Sequence, residues 1–250
     1  MTEWFENGRF WEALYPAMFG EAMLARSPEE VEKVCANVGF TGGDVLDLCC
    51  GPGRHSVAFA QRGARVTGVD RTPFLFDKAR ARGRQEGVEV EWVLEDMRRF
   101  VRPGAFDLAI NLFTSFGYFE DESDNLLALR NVHEDLRAGG ALVMDVVAKE
   151  WIARVFQPCT VSDLADGRSL IQRHEVLDDW PRMRNEWILL DGEHAERFRF
   201  AHTIYSGREL KALLLEAGFS EVRLFGTLTG DPYGQASSRL VALARKAAHA

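Results

Sequence analysis

Gly51-Pro52-Gly53-Arg54-His55-Ser56 lies between the apolar run Val45-Leu46-Asp47-Leu48 and a segment of helical character. A lone acid, Asp70, ends the next apolar run, about 20 residues further on, at the distance where a ribose-binding carboxylate belongs. Glycines in such a turn let the backbone approach a ligand closely, and the pattern is near to GxGxxG with Ser in the third position. It predicts a nucleoside-bearing cofactor at the end of the first strand. Two residues bear on the cofactor's charge. Asp47 sets a carboxylate just before the turn, where it repels a pyrophosphate and attracts a cation; its other use is as a strand-end brace. Pro52 removes an N–H that a pyrophosphate would use. S-Adenosyl-L-methionine carries a sulfonium, an ammonium and no phosphate, and suits this pattern better than NAD.

Other chemistry is sparse. Cys35, Cys49, Cys50 and Cys159 form no CxxC pair, and no Cys/His cluster has zinc-ligand spacing, so no metal is expected. The adjacent Cys49 and Cys50 suit a disulfide poorly and read as reduced thiols of a cytoplasmic protein. His202 alternates with Phe198, Phe200 and Ile204 and shares their face of a strand. A histidine there is more often a packed core residue; it becomes a candidate general base if that face roofs the site. Arg182, Arg184, Arg197 and Arg199 read as a solvated strand face, with an anionic-substrate site as the sharper alternative. His55 reads as a helix cap or a solvent-facing residue.

These groups need a scaffold of strands alternating with helices. Strands are expected at about 45–48, 65–70, 88–94, 106–112 and 141–147, with helices at 54–61, 73–85 and 121–137, the last ended by Gly139-Gly140. Such alternation implies parallel, right-handed βαβ units. Before them, residues 1–40 form a helical cover rich in aromatics, with Ser27 as the cap of its last helix. The rhythm breaks after Lys149. Residues 151–205 carry alternating runs separated by Asp166-Gly167, Trp180-Pro181 and Asp191-Gly192, which predict an antiparallel insertion of three or four strands. Ser206 then caps a helix, and two further strands, at 219–225 and 239–244, complete a main domain of residues 41–150 and 206–250.

Val45-Leu46-Asp47-Leu48-Cys49-Cys50-Gly51-Pro52-Gly53 and Val66-Thr67-Gly68-Val69-Asp70 resemble the first two motifs of class I S-adenosylmethionine-dependent methyltransferases. Glu95-Asp96-Met97-Arg98, the strand from Phe106 to Phe113, and Leu136-Arg137-Ala138-Gly139-Gly140 resemble the later ones in order. The resemblance implies an α/β fold, a Rossmann-like seven-stranded sheet with the antiparallel insertion after strand five. It also implies cofactor ligands at Asp47, Cys49, Gly51, Gly53, Asp70, Asp96, Met97 and Asn111, with Asp96 on the adenine amino group and the next backbone N–H on a ring nitrogen. Cys49 departs from the pattern, standing where the family has the first glycine of the loop. Phe113-Thr114-Ser115-Phe116-Gly117-Tyr118-Phe119 is similar to the loop of amino-sugar N-methyltransferases, which implies substrate contacts at Phe116 and Tyr118. Tyr118 and His202 are the candidate catalytic residues. The aromatic start of the chain folds over the cofactor in that family, which adds Tyr15 as a candidate contact.

Composition narrows the partners. The chain has 250 residues, 46% hydrophobic and 27% charged, and a net charge of -8, which disfavours nucleic acid. Asn111-Leu112-Phe113-Thr114 lacks the prolines of enzymes that act on base amino groups. Residues 1–10 have no apolar h-region, and no apolar run is long enough to span a membrane. A small-molecule acceptor is expected, methylated on nitrogen or oxygen by a monomer or homodimer. A non-catalytic S-adenosylmethionine-binding module or sensor is the alternative; the insertion, read as a substrate lid, argues against it.

Overall fold

In the computed structural model, which describes residues 3–248, the chain opens with a 3-10 turn (Trp4–Glu6) and three helices, α1 (Gly8–Met18), α2 (Glu21–Ala25) and α3 (Ser27–Val38). Ser27 is not the cap of α3. Arg26 in helical conformation holds that place, because α2 runs almost directly into α3, and the Ser27 hydroxyl donates to Leu24 O. There follow β1 (Asp44–Leu48), α4 (Arg54–Gln61), β2 (Arg65–Asp70), α5 (Pro73–Gln85), β3 (Glu91–Leu94), β4 (Phe106–Asn111), α6 (Glu122–Asp135) and β5 (Leu136–Val147). β3 starts later than its apolar run suggests, since the Val88 N–H donates to Gly83 O and closes α5. Gly139-Gly140 does not end α6. The helix stops at Asp135, and the glycines lie within the irregular start of β5, where its register against β4 shifts.

A short helix unforeseen in the sequence, α7 (Lys149–Val155), precedes β6 (Cys159–Asp163), β7 (Ser169–Leu177), β8 (Arg182–Asp191) and β9 (His194–Thr203). These four make their own antiparallel sheet in sequential order. The β8–β9 loop is Gly192-Glu193, with Gly192 at φ 58 in the first central position, where a tight hairpin turn demands glycine. α8 (Gly207–Glu216), capped by Ser206 in a capping box with Glu209, leads to β10 (Glu221–Phe225) and β11 (Arg239–Arg245).

The main sheet has seven strands in the order β10-β11-β5-β4-β1-β2-β3, with β11 antiparallel to both its neighbours and the rest parallel. Side-chain alternation splits its core. Leu46 and Leu48 of β1 join one cluster with residues of α6 and α8; Val45 joins another with α3 and α4. Asp47 shares the face of Val45 and therefore meets α4. A third cluster joins the two later additions to the scaffold: Phe10, Ala13 and Leu14 of α1 pack against Leu170, Leu189, Phe198 and Phe200 of the small sheet.

Candidate active site

Strand order reverses at β1, which lies between β4 and β2, and a ligand crevice is expected beyond the carboxyl ends of those strands. A cavity is there. Its walls come from the β1–α4 turn, the ends of β2 and β3, the loop after β4, and the aromatic start of the chain.

The turn after β1 is built around Asp70. One Asp70 carboxylate oxygen accepts the Gly51 N–H (2.8 Å) and the other accepts the Thr72 N–H (2.8 Å). Cys50 N donates to Val69 O, tying the turn to β2. Cys49 sits at φ 62, a left-handed conformation that costs a non-glycine residue about 1–3 kcal/mol. These bonds hold it there. Ser56, in the first turn of α4, donates to Asp47 Oδ2 at 2.5 Å. Burial pushes the Asp47 and Asp70 carboxyls up, and pushes the Cys49 thiol well up, so Cys49 is a neutral wall and no nucleophile.

Asp96 is held differently. Burial alone would raise its carboxyl, but hydrogen bonds from Arg98 and the charges of Arg98 and Arg71 keep it below the usual carboxylate range. Its Oδ1 accepts the Arg98 N–H (2.8 Å) and Nε (3.0 Å); its Oδ2 accepts Arg98 Nη2 (2.6 Å) and Arg71. The same arginines reach Glu3, at 2.8 and 2.9 Å, and Arg71 also binds Glu6. The start of the chain is thus clasped to this corner of the cavity. Among the described residues the neighbouring Met97 N–H has no acceptor.

The loop after β4 is strained at Phe113 (φ 64) and Thr114 (φ 58). Asp145 of β5 secures it, accepting the Phe113 N–H on its side chain and the Thr114 N–H on its carbonyl, while Arg239 of β11 binds both Asp145 and the Thr114 hydroxyl. Further along, Gly117 O accepts the Thr203 N–H at the end of β9, and a Cβ on Gly117 would stand 2.7 Å from Thr203 O. Only glycine permits that approach.

Asp47, Cys49, Gly51, Asp70, Asp96, Met97 and Tyr118 all line the cavity. The other expected site residues stand off it. Gly53 is glycine for packing: a Cβ would lie 2.6 Å from the Trp92 ring. Asn111 lies beneath the turn, donating to Leu48 O. Tyr15 packs between Phe19 and Phe74 with Lys78 over its ring, and Phe116 is buried against Tyr205.

His202 lies one layer behind Tyr118, its ring 5.3 Å away, and burial lowers its pKa to about 4. Asn185 Nδ2 approaches His202 Nδ1 at 3.1 Å and also donates to Met183 O, while Asn185 Oδ1 faces His174 Nδ1 at 2.8 Å. That orientation makes His202 Nδ1 an acceptor and places the proton on Nε2. The geometry therefore does not support His202 as the base.

Several cavity residues were given no site role in the sequence. Arg54 is buried beside the turn, paired with Glu30 and with the Ser27 hydroxyl. His55 is buried as well, neither cap nor solvent-facing, with Nε2 2.8 Å from Glu30 Oε2. Their place in the first turn after the glycines was a usable signal; Glu30, on α3, gave none. Trp4, Phe5 and Trp11 complete the aromatic wall.

Although burial works against it, His55 and Arg54 bring Glu30 down to about 2. A lowered carboxyl stabilises the fold at pH values above its unfolded pKa, and that contribution is lost as pH falls through the folded value. The stability difference between wild type and Glu30→Gln is therefore expected to be full above about pH 4.5 and to vanish toward about pH 2. Urea melts across that range will show it; a pH-independent difference would deny the ion pair.

A methyltransferase-domain family matches residues 45–140, the stretch that carries the β1 turn, Asp70, Asp96 and the loop after β4. A ubiquinone biosynthesis O-methyltransferase of Xanthomonas campestris is 30% identical over 161 residues, covering 59% of this chain and 64% of that protein. Among solved structures, the CcbJ methyltransferase from Streptomyces caelestis superposes with a TM-score of 0.82 at 18% identity, covering 98% of this chain and 99% of the other. An amino pentose methyltransferase from Micromonospora echinaspora, solved with bound S-adenosylmethionine, gives 0.69 at 22% identity, covering 95% and 96%. Those two likenesses bear on the fold, here a seven-stranded sheet with an antiparallel edge. No helix among the described residues is long and apolar enough to cross a membrane. The matched methyltransferase domain contains the cofactor turn and its acids, and in fold the chain is similar to S-adenosylmethionine-dependent methyltransferases.

Proposed function

We propose that the chain transfers a methyl group from S-adenosylmethionine to a hydroxyl of a small, flat, largely apolar molecule. The division of the cavity lining carries this reading. All its acids, Asp47, Asp70, Glu95 and Asp96, come from the ends of β1 to β3 or just beyond, where the cofactor is expected. The start of the chain and the loop after β4 supply aromatic rings, Trp4, Phe5, Trp11, Phe113, Tyr118 and Phe119, and the hydroxyls of Thr114, Ser115 and Tyr118. An amine acceptor arrives protonated and calls for a carboxylate beside it; this wall offers none. The cofactor supplies an activated methyl group on a sulfonium. The acceptor enters as the phenolate, its proton already lost to bulk water; its oxygen bonds the methyl carbon as the carbon–sulfur bond breaks and leaves its electron pair on sulfur, so the protein's part is to align that oxygen and exclude water, and alignment can be worth roughly 7–11 kcal/mol. In this reading Asp70 holds the ribose, Asp47 faces the ammonium, and Asp96 with the Met97 N–H faces the adenine.

Tyr118 positions the acceptor. Burial pushes its pKa up to about 12, so at neutral pH it keeps its proton and donates a hydrogen bond. The Trp4 indole N–H, buried and without an acceptor among the described residues, is a second donor in the same wall. Incubation with methyl-labelled S-adenosylmethionine and paired phenols and benzylic amines of one ring skeleton tests the assignment. Labelled ethers are expected, with Tyr118→Phe lowering kcat about tenfold, the worth of one hydrogen bond, and leaving S-adenosylhomocysteine affinity unchanged. Labelled amines alone would overturn the choice of oxygen.

A further inference from the structure

We infer that Thr114 and Tyr118 together seat the acceptor's oxygen as an anion, and that Arg239 is the positioning residue that turns the Thr114 proton toward it. This rests on the reading of the cavity as a site for a phenolic acceptor. A hydroxyl has one proton to donate and two lone pairs to accept with. Arg239 Nη2 donates to Thr114 Oγ1 at 3.1 Å, so the guanidinium holds the lone-pair side of that hydroxyl. A cation repels the hydroxyl proton, which therefore points away from Arg239. No acceptor among the described residues takes it, and Thr114 lines the cavity. Tyr118, further along the same loop, also lines the cavity and likewise donates to no described group. Ser115, the third hydroxyl of this wall, is spent on Leu112 O at 2.9 Å. Two proton donors are thus left for one ligand oxygen.

The fold keeps this geometry in place. Thr114 has a left-handed backbone (φ 58), and its N–H donates to Asp145 O at 2.8 Å. Asp145 Oδ1 also takes Arg239 Nε at 2.6 Å, so the strand that fixes the loop fixes the guanidinium as well. The Arg239 charge reaches Tyr118, which it draws downward against the larger effect of burial. Asp145 offsets part of that charge. The other titratable or charged groups near the two hydroxyls add little. Burial keeps the Cys49 thiol and the His202 ring neutral, and Arg54, over the Phe113 ring, is paired with Glu30. A phenol with a pKa of about 10 is only about one part in a thousand ionised at pH 7. Hydrogen bonds to the charged form lower that pKa, so the seat raises the fraction of acceptor that is ready to react. The proton leaves to bulk water. On transfer the oxygen becomes a neutral ether, and both bonds lose their charge assistance, which favours release of the product.

The test uses para-nitrophenol, whose ionised form alone is yellow, bound to the protein with S-adenosylhomocysteine in the cofactor's place. The bound probe is expected to titrate at least about one pH unit below the free phenol, tenfold in ionisation. Thr114→Val keeps the shape and removes the hydroxyl, and should undo about half of that shift. Thr114→Ser restores the hydroxyl and should keep the shift whole. Arg239→Gln should abolish most of it, and Arg239→Lys, which keeps the charge and loses the fork, should fall between. A purely structural Arg239 would lower probe affinity in its variants and leave the titration of the bound probe unmoved, and that result would overturn the inference. So would equal titration of the probe on the wild type and in water, or equal effects of Thr114→Val and Thr114→Ser. The two Thr114 variants leave the Arg239–Asp145 pair intact and decide the matter if Arg239→Gln does not fold. A wild type that binds S-adenosylhomocysteine but not the probe would overturn the phenolic reading of the cavity, and the inference with it.

Discussion

Asp70→Asn will weaken S-adenosylhomocysteine binding by about tenfold to a hundredfold while the protein stays folded. The carboxylate has two tasks, and the amide performs each of them worse. It braces the glycine turn by accepting the Gly51 and Thr72 N–H groups, one on each oxygen, and it faces the cavity at the position proposed for the ribose. An amide offers one acceptor oxygen, so one N–H loses its partner and a donor is set against a donor. Charge-assisted bonds are worth about 1.5–3 kcal/mol each, and loss of one spans the expected range of affinity. The fold should survive. Burial already disfavours the Asp70 charge, and a neutral side chain of the same shape removes that cost. Calorimetry with S-adenosylhomocysteine, alongside thermal melting, makes the measurement. An unchanged affinity in a folded variant would place the ribose elsewhere.

The features of this site that were legible in the sequence are the ones set by local spacing. The β1 turn, Asp70 and the alternation of strands and helices follow from glycine, proline and apolar period, and α4 and α5 have the bounds that their caps and turns suggest. The hairpins of the small sheet were legible for the same reason: Asp166-Gly167 and Asp191-Gly192 punctuate alternating runs. Residues whose role depends on distant partners were not. For Asp96 the resemblance gives an adenine contact, but nothing in the spacing says that Arg71, Arg98 and Glu3 are brought to it across the fold. His55 looks solvent-facing until α3 delivers Glu30. His202 shares an apolar face, as its alternation suggests, yet its tautomer is set by Asn185 on the neighbouring strand, and no period in the sequence carries that information. Tyr15 and Phe116 follow from the family resemblance of their segments, and such a likeness does not tell the inside of a wall from its surface.

Phe200→Ala is expected to loosen one part of the molecule and leave the rest intact, because we propose that the small sheet and the start of the chain form a roof over the acceptor. Phe200 lies 9% exposed at the centre of that contact. Its ring stacks on Trp4 at 4.7 Å, meets Trp187 at 5.3 Å and Phe10 at 5.9 Å, and lies 6.4 Å from Tyr118. Truncating a buried phenylalanine to alanine costs about 3–5 kcal/mol. Phe200 and its partners form a cluster of their own, apart from the two that flank the seven-stranded sheet, so the loss falls on the docking of the roof. Amides of α1, β8 and β9 should exchange faster, while those of β1, β4 and β5 keep their protection. Trp4 and Tyr118 would then no longer hold the acceptor in line, and a misplacement of about 1 Å can cost a hundredfold in rate. Methyl transfer should therefore fall by about two orders of magnitude. S-Adenosylhomocysteine binding should suffer far less, since Asp47, Asp70 and the glycine turn belong to the main sheet. Normal turnover with a loosened roof would show that the small sheet serves some other purpose. Uniformly faster exchange would show that it is part of the core and no separate cover.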